Sequence, residues 1–254
     1  MTEPKHKTEF DVAGPIGAPT IILLHGSSET RQQWTPQTAA LSDAFRILAV
    51  DLPAHGALRN MRFRMRDVVE WLSDLVDQQA GGRAILAGIS LGGYVAVEFG
   101  VRHPEKAKGL VLLSCTAEPT GPGAALFWIA TCMMSAAPLG CLAAAKRLAG
   151  RILYAPEFAH YLTGYHFRGG AQGIREVLWK SYIEKVRCFP GPILFLNGRR
   201  DLPFRSSERR FLAAAPKARL EIIPRAYHVC NLDNPLVVTA AIRDFAESLT
   251  SSTA

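Results

Sequence analysis

Short apolar runs alternate with helical patterns along this chain. Six runs of four to six residues are mostly apolar and rich in Ile, Leu and Val: Thr20–Leu24, Arg46–Val50, Ala84–Ile89, Leu110–Leu113, Ile193–Leu196 and Leu220–Ile223. Strands that helices cover on both faces of a parallel sheet have such uninterrupted runs. The pattern therefore predicts an α/β fold with a doubly wound, mostly parallel sheet.

Two further segments carry the signals of helices. Apolar residues recur at helical spacing from Val68 to Val76 while acidic residues occupy the other faces, which predicts an amphipathic crossover helix. Near the carboxyl end, Asn234 can cap a helix that has Pro235 as its first residue.

The segment 116–187 interrupts this alternation. It contains helical patterns and glycines but no clear strand. We interpret it as a helical cap inserted over the carboxyl edge of the sheet, where α/β proteins bind ligands. The core domain would then consist of residues 1–115 and 188–254.

An uncharged stretch from Pro119 to Ala145 lies within this cap. Prolines and glycines interrupt it, which favours cap helices whose apolar faces line a pocket. Trp128 and Met133 are candidate substrate-binding residues there. The length of the stretch also allows a membrane-embedded element or a helix at the membrane interface. Peripheral membrane contact therefore stays open as an alternative.

Composition and charge narrow the classes of partner. The 254 residues include 29 Lys or Arg and 22 Asp or Glu, for a formal net charge of +7. The basic residues are scattered and lack interleaved aromatics, which argues against nucleic-acid binding. The five cysteines form no CxxC pair and no cluster has the spacing of metal ligands, so we expect no disulfide framework and no metal. The amino terminus shows no apolar leader, and we expect a cytoplasmic protein.

The strongest chemical signal is the sequence GISLG, which follows the third apolar run and precedes a helical stretch. A sharp turn from strand to helix crowds the residues around its central serine, and Gly88 and Gly92 relieve that crowding. The turn presents the hydroxyl of Ser90 above the sheet edge, so Ser90 is the candidate nucleophile. The amide of Leu91, at the amino end of the helix, is a candidate donor to an oxyanion.

A serine hydroxyl needs a base, and His228 is the best placed of the seven histidines. It follows the last predicted strand, and triads built on this kind of turn have the chain order serine, acid, histidine. Asp201 follows the strand that begins at Ile193, and it can orient the imidazole and stabilise its charged form. Glu118, just after the fourth run, is the alternative acid.

The loop after the first apolar run is expected to supply the second oxyanion donor. Gly26 permits a tight backbone turn, and the amide of Ser27 would then point into the site. His25, at the end of the strand, is interpreted as a structural hydrogen-bonding residue rather than a base.

Together these pieces resemble the α/β-hydrolase fold superfamily, in its capped, esterase- and lactonase-like branch. The resemblance rests on LLHGSS (23–28), DLPAHG (51–56), GISLGG (88–93), GRRD (198–201) and the loop around His228. It implies the catalytic triad Ser90, Asp201 and His228, and a structural role for Asp51. Ala54 departs from the pattern, because relatives usually have Gly at that position.

Residues and resemblance together imply a serine hydrolase that forms an acyl-enzyme on Ser90 and needs no metal or organic cofactor. The expected substrate is a carboxylic ester, lactone or thioester of a small apolar acyl group. The same triad also serves carbon–carbon bond hydrolases, perhydrolases and membrane-associated lipases. A non-enzymatic small-molecule receptor that keeps the fold is the alternative from a different class. The oligomeric state stays open.

Overall fold

A seven-stranded sheet lies at the centre of the computed structural model, which describes residues 9–153, 161–162 and 164–250. The strands are β1 (Phe10–Ala13), β2 (Thr20–Leu24), β3 (Arg46–Val50), β4 (Ala84–Ile89), β5 (Ala107–Leu113), β6 (Ile193–Gly198) and β7 (Ala218–Ile223). Their order in the sheet is β1-β3-β2-β4-β5-β6-β7. Strand β1 pairs antiparallel with β3, and every other pair is parallel.

The six predicted strands are all present, and those of β2, β3 and β4 have the predicted bounds. Strand β1 was not predicted. It is a four-residue edge strand without a fully buried position, so it lacks the apolar run that marks the central strands. The predicted fold class, a mostly parallel doubly wound sheet, is confirmed.

Helices cover both faces of the sheet. The elements are α1 (Thr35–Leu41), α2 (Met65–Gln79), α3 (Leu91–Arg102), α4 (Gly121–Ala136), α5 (Leu139–Leu153), α6 (Phe167–Val177), α7 (Tyr182–Cys188), α8 (Glu208–Ala214), α9 (Cys230–Asp233) and α10 (Pro235–Thr250). One apolar core joins the sheet to α2, α3, α7 and α8, and a second joins its other face to α1 and α10. The crossover helix predicted around Val68 is α2. The last helix begins at Pro235 as predicted, although the side chain of Asn234 donates to the carbonyl of Pro224 rather than capping the helix.

Helices α4, α5 and α6 lie within the predicted cap. Helix α4 is joined to α6 by the guanidinium of Arg175, which donates to the hydroxyl and carbonyl oxygens of Thr131. Helix α7 packs on α3 instead, where the hydroxyl of Tyr182 donates to Glu98 at 3.0 Å. The predicted boundaries of 116 and 187 therefore stay an interpretation. The expectation of a cytoplasmic protein rests on the amino terminus, and residues 1–8 lie outside the described residues. Residues 154–160 and 163 of the predicted cap also lie outside them.

Candidate active site

Ser90 occupies the turn between β4 and α3 in a strained conformation. Its φ is 53° and its ψ is −116°, in a region that side chains other than glycine rarely adopt. The amide of Ser90 donates to the carbonyl of Leu113 at 2.9 Å, so the sheet holds the turn in place. A Cβ atom at Gly88 would collide with the backbone of Gly92, and one at Gly92 with the carbonyl of Leu24. Both glycines are therefore needed for the turn, as the sequence predicted.

His228 and Asp201 form a hydrogen-bonded pair beyond the carboxyl ends of β7 and β6. The distance from His228 Nδ1 to Asp201 Oδ2 is 2.9 Å. The carboxylate of Asp201 is buried, while the side chain of His228 is 32% exposed. With Nδ1–H donated to the carboxylate, Nε2 is left as the proton acceptor.

The loop that carries His228 is held from behind by Asp233. The carboxylate of Asp233 accepts the amide of Tyr227 at 2.6 Å. Burial raises the pKa of Asp233 from 3.8 to about 6. A side-chain network ties the same loop to α1 and the turn before it, because the amide group of Asn231 donates to the carbonyl of Gln33 and to the side chain of Gln37.

A cavity of about 280 Å³ opens above Ser90. Its lining is mostly apolar: Ser90, Leu91, Tyr94, Ala117, Glu118, Pro119, Gly123, Phe127, Ile174, Val177, Leu178, Pro203, Phe204 and Ser206. The ring of Phe204 lies 4.0 Å from the ring of His228, centroid to centroid. Because Phe204 and Ser90 line the same cavity, the contact between Phe204 and His228 places the histidine beside that cavity.

Helix α4 contributes Gly123 and Phe127 to this lining, whereas Trp128 and Met133 are not part of it. These two predicted contacts are 49% and 67% exposed. The reason is helical geometry. Positions 123 and 127 share one face, while the next residue is turned by about 100°. In the structure, α4 thus lines the cavity with Phe127 rather than with Trp128 and Met133.

The predicted oxyanion donors lie on two adjacent backbone segments. Leu91 is the first residue of α3, so its amide has no acceptor within the helix. In the facing loop, the amide of Ser28 donates to Nε2 of His55 at 3.2 Å, and that of Gly26 donates to Gln33 at 2.9 Å. Because the amides of Gly26 and Ser28 already have acceptors, the amide of Ser27 stays the predicted oxyanion donor of this loop.

Helix α6 packs closely on both of these segments. A Cβ atom at Gly170 would touch the hydroxyls of Ser27 and Ser28, and one at Gly173 would overlap the side chain of Leu91. Glycine at these positions lets the cap backbone approach the predicted oxyanion donors.

A buried ion pair links the same loop to α5. The carboxylate of Glu29 lies 2.5 Å from Nζ of Lys146 and accepts the amide of Gly164 at 3.2 Å. Burial raises the pKa of Glu29, and the ammonium opposes that shift. Because Glu29 directly follows Ser28, the pair couples the position of the cap to the loop.

The rings of His25 and His55 meet edge to face behind the loop, with centroids 4.9 Å apart and planes inclined by 64°. Each ring accepts a backbone amide at Nε2, His25 from Leu52 and His55 from Ser28. Each Nδ1 lies within hydrogen-bond distance of a carbonyl, at 2.7 Å and 2.9 Å. Burial lowers the pKa of His25 from 6.5 to about 4 and that of His55 to about 3. These hydrogen bonds agree with the structural role predicted for His25.

The alternative acid, Glu118, lines the cavity but is engaged elsewhere. Its carboxylate accepts the amides of Tyr182 and Ile183 at 3.1 and 3.2 Å, at the start of α7. Asp51 accepts two bonds from Arg31 and one from the amide of Ala57, in keeping with its structural interpretation.

Several residues of the site were not predicted from the sequence. Phe204, Tyr94 and Ile174 line the cavity, and Gln33 and Asn231 join the loops beneath it. Only the proximity of Phe204 to Asp201 in the chain could have indicated one of them. In residues 9–153, 161–162 and 164–250, no group of three or more His, Cys, Asp or Glu side chains is arranged to hold a metal ion.

The family model for the alpha/beta hydrolase family matches residues 21–242. The chain belongs to the alpha/beta hydrolase family. A similar protein is the carboxylesterase YbfK of Bacillus subtilis, 38% identical over 111 residues, which cover 42% of this chain and 38% of that protein. A putative 2-succinyl-6-hydroxy-2,4-cyclohexadiene-1-carboxylate synthase of Bacillus subtilis is 25% identical over 270 residues, 93% of each chain.

Solved structures show the same fold. The enol-lactonase from Burkholderia xenovorans LB400 superposes with a TM-score of 0.80 at 20% identity, covering 93% of this chain and 95% of that one. The predicted resemblance to the α/β-hydrolase superfamily is confirmed. The prediction of a hydrolase acting on esters agrees with the name of the carboxylesterase relative.

Proposed function

We propose that the protein is a serine hydrolase that cleaves the ester, lactone or thioester bond of a small apolar acyl substrate through an acyl-enzyme on Ser90. One arrangement carries the proposal. The strained Ser90 opens on an apolar cavity, and Phe204 of the cavity wall lies against the ring of His228, which is paired with Asp201.

In the first step, the oxygen of Ser90 attacks the carbonyl carbon of the substrate while Nε2 of His228 takes the serine proton. The imidazole becomes positively charged, and the buried carboxylate 2.9 Å from Nδ1 stabilises that charge. The amides of Ser27 and Leu91 would donate to the oxyanion. Each such donor typically contributes a factor of roughly 10² to 10³ in turnover.

The tetrahedral intermediate then collapses. The bond to the leaving group breaks, and His228 returns its proton to the leaving oxygen or sulfur. In the second half, His228 takes a proton from water, the hydroxide attacks the acyl-enzyme, and Ser90 regains its proton as the acid is released. Protons balance without a cofactor.

The cavity wall favours an uncharged acyl group. Its lining residues include one carboxylate, Glu118, and no Lys, Arg or His. A substrate carboxylate would be desolvated there without a cationic partner, which is unfavourable. This argues against the carboxylate chemistry that the name of the synthase relative describes, and for neutral esters, lactones or thioesters.

The test combines active-site labelling with a substrate panel. A fluorophosphonate should attach to Ser90, and Ser90→Ala should abolish both the labelling and the turnover of p-nitrophenyl esters, lactones and acyl thioesters. Ser206→Ala is the matched control, because Ser206 places a second hydroxyl on the same cavity. It should still be labelled. Labelling that survives Ser90→Ala, or turnover that survives it, would refute the proposal.

A further inference from the structure

Helix α4 is apolar on every side, yet most of it is exposed. None of its 16 residues is charged, and only Ala124 and Thr131 are buried. Helices that are apolar all round normally lie in a protein core or in a membrane. The composition of α4 is therefore not explained by its packing in the monomer.

The large exposed apolar residues of α4 lie on the outside of the cap, and we call them the outer cap surface. They are Leu126, Trp128, Ile129 and Met133. Leu139 and Leu148 of α5 are exposed as well. Leu126, Ile129 and Met133 have the spacing of one helical face, and Leu126 is 70% exposed. Single exposed apolar residues are common, but a concentration of large ones marks an interaction site.

The exposed charge beside this surface is positive. The sequence from 119 to 149 contains Lys146 and Arg147 but no Asp or Glu. Lys146 is paired with the buried carboxylate of Glu29, whereas Arg147 is exposed next to Leu148. A second copy of the chain on the same surface would bring a second Arg147 close to the first, whereas an anionic lipid headgroup layer would neutralise this charge.

The shape of the cap suits a position on a bilayer rather than across it. Among the described residues no single helix is long and apolar enough to cross a membrane, and only the pair Gly121–Ala136 and Leu139–Ala149 reaches the required hydropathy, bent by 119°. Exposed Trp128 is of the residue type that prefers the headgroup level.

We infer that the outer cap surface docks on an anionic lipid bilayer, with the apolar side chains of α4 inserted and Arg147 of α5 at the headgroups. The inner face of the same helix lines the cavity with Gly123 and Phe127. Docking would therefore place the cavity next to the bilayer, and an apolar ester could enter from the lipid phase. This last consequence rests on the proposed function, whereas docking itself does not.

The test measures sedimentation of the full chain with vesicles. Vesicles of phosphatidylcholine mixed with phosphatidylglycerol should bind the protein, and binding should be weaker at high salt or with phosphatidylcholine alone. Ile129→Asp or Met133→Asp should lower the partition coefficient by about tenfold or more. Arg147→Glu should reduce binding to the anionic vesicles without lowering the melting temperature.

Leu236→Asp is the matched control, because Leu236 is 82% exposed but lies on α10 outside the cap. It should bind like the wild type, and so should Ser90→Ala. Binding by Ser90→Ala separates docking from catalysis. If the proposed hydrolysis is wrong, vesicle binding can still be measured, and if docking is wrong, ester turnover can still be measured. The inference is overturned if anionic vesicles do not bind the wild type, if Ile129→Asp binds equally well, or if sedimentation equilibrium shows a dimer that Ile129→Asp dissociates.

Discussion

The buried pair His25 and His55 predicts that the fold loses stability on mild acidification. Both rings are neutral when folded, because burial lowers their pKa from 6.5 to about 4 and about 3. In the unfolded chain each ring takes up a proton below 6.5. The unfolded state thus binds more protons, and stability falls as the pH falls from 6.5 towards 4.

The size of the effect follows from these pKa values. At pH 5, about 1.5 units below the unfolded pKa, each ring reduces the free energy of unfolding by about 2 kcal/mol. The pair together accounts for about 4 kcal/mol, a large part of the 5–15 kcal/mol that is typical of whole domains. The neutral state is reinforced by geometry, since Nε2 of His55 must stay unprotonated to accept the amide of Ser28.

Urea unfolding followed by circular dichroism at about pH 8 and about pH 5 measures this difference. His55→Gln keeps an acceptor for the amide of Ser28 but does not titrate, so its difference between the two pH values should be smaller by about 2 kcal/mol. Carboxyls with a raised pKa, such as Asp233, act in the opposite direction, but they cancel when the two proteins are compared.

Gln33→Ala is the control for this experiment. It removes the acceptor for the amide of Gly26 in the same loop without removing a titratable group. Relative to the wild type, the free energy of unfolding of Gln33→Ala should be lower by a similar amount at both pH values, about 1 kcal/mol. If His55→Gln lost as much stability as the wild type on going to pH 5, protonation of His55 would not be coupled to unfolding and the reasoning would be wrong.

Three further predictions concern the site and its cap. Asp201→Asn should lower ester kcat/KM by about 10⁴ while Glu118→Gln has a small effect, and the reverse order in steady-state assays would make Glu118 the acid. Lys146→Met should lower the free energy of unfolding by about 3 kcal/mol, because it leaves the buried carboxylate of Glu29 without its partner. An unchanged urea midpoint would contradict this. Phe127→Ala should flatten the rise in kcat/KM from acetyl to hexanoyl esters, about 0.8 kcal/mol per buried methylene, whereas Trp128→Ala should leave that slope unchanged.

The central strands and the nucleophile turn could be predicted from the sequence because their signals are local. An apolar run of five residues leaves few alternatives to a covered strand, and the steric reason for Gly88 lies only four residues away, at Gly92. The reason for Gly92 is not local, because a Cβ atom there would meet the carbonyl of Leu24. The pairing of His228 with Asp201 is not local. It could be proposed only from the chain order of such triads, and the distance of 2.9 Å gives that order a geometric basis.

The departure at Ala54 shows a different limit. The sequence indicates only that glycine is usual there, and the structure gives the reason, since Ala54 has a φ of 67° in the left-handed region. A Cβ atom at Gly169 would collide with Ala54. The methyl group is thus accommodated by a glycine in the cap, more than a hundred residues away, and no local pattern could have indicated this pairing.

The uncharged cap stretch was interpreted as a pocket wall, and the structure divides it between two environments. A helix that is apolar on all sides has no periodic signal, so its sequence cannot tell which face is turned inward. Packing on α6 decides this, because Arg175 holds Thr131 and directs Phe127 to the cavity. Leu126 and Ile129 are then left in solvent with no packing reason to be apolar. A surface of this kind needs a partner outside the monomer. The exposed Arg147, in a stretch without Asp or Glu, makes an anionic bilayer the partner that matches its chemistry.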